Sequence, residues 1–130
     1  MTLARLSVGL TAVAYLGFGG ALLIRPRLLG EVGVAIADPA GAVELRAFYG
    51  GLELGVGLFF VAALRRPPWL RPALWLQVLS LGGVVAGRLI GLAVTPSDNL
   101  LLFALMGAET AAVALGIAAL RGLHRTEEAP

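Results

Sequence analysis

Four apolar stretches, residues 6–24, 47–64, 73–94 and 100–120, hold between 18 and 22 residues each, and none contains a proline although the chain has seven. A bilayer core is crossed by about 20 helical residues, so each stretch is long enough to span. The chain is 58% hydrophobic and only 14% charged, with a mean hydropathy of +0.90. A soluble domain of 130 residues could not bury that much apolar surface. The expected fold is therefore an all-α integral membrane protein, a single four-transmembrane-helix bundle over residues 1–130. Its spans fall at about 6–24, 39–64, 73–94 and 100–120, with an outer loop at 25–38 and a polar tail at 121–130.

The breaks carry turn chemistry. Arg25-Pro26-Arg27 closes the first span, and Arg65-Arg66-Pro67-Pro68 closes the second, with Pro72 opening the third. Thr95-Pro96-Ser97-Asp98 is a short turn that supplies an N-cap for the fourth. Asp38-Pro39 is an N-cap followed by the proline position that opens helices. Residues 28–37 are too short to span and read as an ordered loop packed on the outer ends, or as a short interfacial helix or lid.

Arginine placement sets the orientation. The N-terminus, the second loop and the C-terminus hold Arg5, Arg65, Arg66, Arg71, Arg121 and Arg125. The opposite side holds Arg25 and Arg27, with Arg46 at its border and the acids Glu31, Asp38, Glu44 and Asp98. Both termini are thus expected in the cytoplasm and the protein in the inner membrane. The apolar run at 6–24 exceeds a signal-peptide core and lacks a small-x-small cleavage site, so it reads as a retained span. Trp69 and Trp75 fit the cytoplasmic interface.

Several function classes fall away. With no cysteine there is no disulfide, thiolate nucleophile or lipoprotein anchor, and the single His124 lies in the polar tail, so neither a metal nor a cofactor is expected. The sequence pI of 9.9 rests on a net charge of only +2, which gives no reason to expect nucleic acid as a partner.

Inside the spans, four ionisable residues stand out: Arg46, Glu53, Arg88 and Glu109. Each would cost roughly 2.5–3.5 kcal/mol at a helix centre on insertion scales, so they are expected to face inward and pair. On an α-helix Arg46, Tyr49, Gly50, Glu53 and Gly57 share a face about 100° wide, with Gly51 and Gly55 opposite in the spacing that admits a close helix. One face is expected to carry chemistry and the other to pack. Counting from the outer ends at about 1.5 Å per residue, Glu53 and Arg88 lie about 10 Å deep and Glu109 about 14 Å, which places one polar cluster in the outer half. Tyr15 on the first span, and Gln77 and Ser80 on the third, add hydroxyls and an amide to inward faces. Gly83, Gly87 and Gly91 favour close helix contact, within the bundle or between copies in a homo-oligomer.

The two halves also match locally. Gly19-Gly20 with Arg25 aligns with Gly82-Gly83 with Arg88, and Glu53 followed by Ala62-Ala63-Leu64-Arg65 aligns with Glu109 followed by Ala118-Ala119-Leu120-Arg121. A duplicated helical hairpin would explain this, and so would chance among common residues.

The LGFG near the start, the run Arg46-Ala-Phe-Tyr49-Gly50-Gly51-Leu-Glu53-Leu-Gly55, the later Gly87-Arg88-Leu-Ile-Gly91 and Glu109 together resemble the bacterial four-helix membrane family catalogued as domain of unknown function 4345. That resemblance implies a small four-span inner-membrane protein and brings no activity with it. Three roles stay open. The cluster of Arg46, Tyr49, Glu53, Arg88 and Glu109 could bind a small apolar ligand and handle protons, by acid–base chemistry without a cofactor if the protein is an enzyme. It could belong to an oligomeric proton-coupled transporter. It could instead fix helix packing in a structural or accessory subunit.

Overall fold

The computed structural model describes residues 2–127, all helix and connecting segments, with no strand among them. Helix α1 is Thr2–Ile24; a 3₁₀ helix follows at Pro26–Val32; α2 is Pro39–Leu45, continued through a π-helical segment, Arg46–Leu52, into α3, Glu53–Arg65. Helix α4 is Leu70–Val94 and α5 is Leu100–Glu127. Four of these continuous stretches are long and apolar enough to cross a membrane: Thr2–Ile24, Pro39–Arg65, Pro67–Val94 and Leu100–His124.

The capping residues explain the boundaries. Asp38 is extended and its Oδ1 accepts the Gly41 N–H at 3.0 Å, so α2 begins where the Asp-Pro pair predicts. Helix α5 is capped one residue later than the expected turn: Asn99, whose Oδ1 accepts the Leu102 N–H at 3.1 Å, takes the role. The polar tail expected at 121–130 is helical to Glu127, and 128–130 lie outside the described residues. The segment after α1 is ordered. Its 3₁₀ helix starts at buried Pro26 and stops at Gly33, whose φ of 86° is open to glycine at little cost. Asn99 Nδ2 donates to the Glu31 carbonyl at 2.8 Å and ties that segment to the start of α5.

Packing is uneven along the helices. The apolar core consists of Ala4, Val8 and Ala12 of α1, Phe60 and Ala63 of α3, Leu70, Ala73 and Leu74 of α4, and Ala119 of α5. All lie toward the end that carries both termini. Beyond Gln77, α4 has no buried residue, and α5 has none before Gly116. The far half is closed mainly by α1 against the α2–α3 helix. There Gly19, Gly50 and Gly57 allow backbone approach: a Cβ on Gly19 would meet Leu54 N at 2.8 Å, and one on Gly50 would meet Leu23 Cα at 2.8 Å.

The packing face is therefore the one that holds Gly50 and Gly57, and the expected division into a chemical face and a separate packing face does not hold. A Cβ on Gly55, Gly83, Gly87 or Gly91 would meet nothing within 4 Å, and one on Gly51 would meet only the carbonyl of Arg46 on its own helix. Identical spacing gave no way to tell glycines seated on a helix from glycines turned outward.

At the seam of the buried half sits a polar pin. Gln77, fully buried, donates from Nε2 to the Ala112 carbonyl at 2.7 Å and to Ser7 Oγ at 2.9 Å, while the Ser7 hydroxyl reaches Gln77 Oε1 at 3.1 Å. One amide thus joins α1, α4 and α5, and Gly116 leaves the space for it. Gln77→Met keeps the volume and leaves Ser7 without its partner. It is expected to lower stability by about 1–3 kcal/mol, read as a lower midpoint in thermal unfolding in detergent. An unchanged midpoint would show that the amide does not set the register.

Candidate functional site

In the far half, α4 and α5 run side by side from the Thr95–Asn99 turn, which brings Arg88 and Glu109 to similar depth. Arg88 Nη1 donates to Glu109 Oε2, a salt bridge within this one hairpin. The two side chains are 25% and 19% exposed, so the pair is shielded without being sealed.

Glu53 comes from the other hairpin. It is the first residue of α3, directly after the π segment, and its Cβ lies against Gly19 of α1. Its carboxylate is half-buried and, among the described residues, makes no hydrogen bond or ion pair. The charges of Glu53 and Glu109 act on each other, and Tyr15 lies within electrostatic reach of both. Tyr15 is held by its ring against Phe60, centroids 5.6 Å apart, and its hydroxyl donates to Ser80 Oγ at 3.0 Å. Ser80 in turn donates to the Leu76 carbonyl at 2.7 Å. The site is thus a seam between hairpins, with Glu53 and Tyr15 on one side and Ser80 and the Arg88–Glu109 pair on the other.

Three of the sequence-predicted residues, Arg46, Tyr49 and Gln77, stand elsewhere. Arg46 reaches toward the far end, where Nε donates to the Leu23 carbonyl at 3.1 Å and Nη1 to the Ala42 carbonyl at 3.4 Å. Tyr49 is 43% exposed on the outside. Arg46 keeps to the side that faces α1, since Gly50 meets the same Leu23 and Glu53 meets Gly19; what separates it from Glu53 is distance along the axis, which leaves it at the end of α1. Tyr49, next to buried Gly50 in the π-helical segment, is turned away from α1. Gln77 belongs to the buried pin and not to this seam. The matched halves also use their charges differently: Arg88 pairs with Glu109, whereas Arg25 lies beyond the end of α1 and does not pair with Glu53.

With Arg46 removed, the charge count changes. Two carboxylates face one guanidinium, so the seam is one positive charge short of neutral. Sequence reasoning, counting Arg46 in, found a balanced set. Ser7, which completes the pin, and Asn99, which ties α5 to the 3₁₀ helix, were not among the candidates; a capping-competent residue directly before α5 was the signal for Asn99.

A family model described as "Domain of unknown function (DUF4345)" matches residues 3–120 of this chain. No curated protein and no solved structure matches it.

Proposed function

Since the chain belongs to the DUF4345 family, whose description names no activity, we propose a role from the residues themselves: a multi-pass membrane protein that takes up one positive charge, a proton or the cationic group of a small apolar ligand, at Glu53. The four long apolar helices form a bundle across the inner membrane of a bacterium, with both termini in the cytoplasm, where the excess of arginine lies. The seam then sits in the outer half of the bilayer.

The observation that carries this reading is the carboxylate of Glu53, without a partner among the described residues, in electrostatic reach of a completed Arg88–Glu109 pair. An acid at that depth is costly, and packing gives it no return, because the register is pinned by neutral Gln77 at the other end. A purely structural cluster would pair its members. Tyr15 and Ser80 bridge the seam beside it and would orient what binds there.

Dicyclohexylcarbodiimide, an apolar reagent that couples to protonated carboxyls, tests this in native membranes. Mass spectrometry is expected to find Glu53 labelled, Glu109 spared by its arginine, and the label lost in Glu53→Gln, which should melt as the parent does. Labelling of exposed Glu44 as heavily as Glu53, or no label at Glu53, would overturn the assignment. The outward stripe of Gly83, Gly87 and Gly91 is the face through which copies would associate.

A further inference from the structure

At the far end, away from the seam, the 3₁₀ helix, the chain that follows it and the start of α2 surround a cavity of about 690 Å³. Among its lining residues are Arg25, Arg27 and Arg46 and the acids Glu31 and Asp38. Five charged groups share one cavity, yet among the described residues they form no ion pair with one another. Arg46 is anchored through Nε and Nη1 to carbonyls, and Asp38 gives one oxygen to the cap of α2. The guanidinia of Arg25 and Arg27 and the carboxylate of Glu31 make no such commitment among the described residues. The segment that carries them is nonetheless fixed, by buried Pro26 and by the hydrogen bond from Asn99 to the Glu31 carbonyl.

Ile24, the last residue of α1, forms part of the wall and is 74% exposed. The wall of the cavity is thus largely apolar, with five charged residues among its lining, where the first membrane-length helix ends. That is the depth at which a bilayer presents its headgroups. Guanidinium groups recognise phosphate by paired hydrogen bonds, which lipid headgroups offer at the membrane surface. A phosphate with no cation beside it would leave Glu31 and Asp38 facing like charge. A phosphate joined to an ammonium answers both sets.

We propose that this cavity binds the headgroup of a zwitterionic aminophospholipid, with its phosphate on Arg25, Arg27 and Arg46 and its ammonium at Glu31 and Asp38. The acyl chains then run along Ile24.

The full chain in nanodiscs of equal phosphatidylethanolamine and phosphatidylglycerol, with matched acyl chains, gives the test. Native mass spectrometry on release from the disc counts the retained lipids. Phosphatidylethanolamine is expected to be retained several-fold over phosphatidylglycerol. Arg27→Gln should lower that retention several-fold, and Glu31→Gln should erase the preference; both side chains are exposed and free of partners among the described residues, so both variants should fold. Equal retention of the two lipids, or retention unchanged in Arg27→Gln, would overturn the proposal. Soluble glycerophosphoethanolamine added at millimolar concentration should not displace the lipid. Displacement would assign the site to a free phosphate compound and overturn the lipid reading.

Discussion

Gly50→Val is expected to separate α1 from the helix that starts at Pro39, with a loss of stability at or above the upper end of the about 1–3 kcal/mol that overpacking ordinarily costs. The first added carbon already falls 2.8 Å from Leu23 Cα and 3.0 Å from Leu23 N, and backbone cannot swing aside as a side-chain tip can. The matched control is Gly55→Val, on the same continuous helix, where nothing lies within 4 Å. There the change should be neutral or slightly stabilising, since glycine is the poorer helix former. Thermal unfolding in detergent separates the two. Equal losses at both positions would mean that the outward glycines are covered as well, and sizing of Gly87→Val would then show whether a second copy covers them.

The second large effect concerns the seam and is asymmetric. Arg88→Gln leaves Glu109 without its partner and beside Glu53, two acids with no base between them. Breaking a buried pair costs about 3–5 kcal/mol; with side chains 25% and 19% exposed, a loss near the lower end of that range is expected. Glu109→Gln should cost less, because the amide oxygen can still accept from the Arg88 guanidinium. Glu53→Gln should cost under about 0.5 kcal/mol, since it breaks no bond, and in the Arg88→Gln background it should recover part of the loss. Unfolding midpoints for the parent, the Arg88 and Glu53 single variants and their double variant form a cycle. A Glu53→Gln variant as unstable as Arg88→Gln would return the whole cluster to a structural role.

Much of the architecture was legible because its signals are local. Apolar length between proline-rich breaks gave the four long helices, and Asp38-Pro39 gave the start of one to the residue. That Arg88 and Glu109 should find partners was legible too, because a charge in an apolar span needs one, but counting depth set Glu53 level with Arg88 and Glu109 deeper, so the particular pair was not. What failed was height and one neighbour: Arg46 keeps to the side facing α1, as Gly50 does, yet meets the Leu23 carbonyl at the helix end, and Tyr49 turns outward from the π-helical stretch. The glycine stripes failed for a different reason. A helix records in its sequence that something small is present, and leaves to tertiary packing what, if anything, comes close.

The uneven packing along α4 and α5 makes the Gln77 junction a fulcrum. Arg88 lies eleven residues beyond it, about 16 Å along the axis, on an arm with no buried residue. A tilt of about 10° of the α4–α5 hairpin at that point would carry Arg88 sideways by about 3 Å. The Arg88–Glu109 pair would travel intact, because both partners ride on the same arm, while its distance to Glu53 on the other hairpin changed. The same leverage would strain two light fastenings, Tyr15 to Ser80 near the pivot and Asn99 to the Glu31 carbonyl at the tip. Any such change in the gap would reach, through the hydrogen bond at the tip, the segment that walls the arginine-lined cavity.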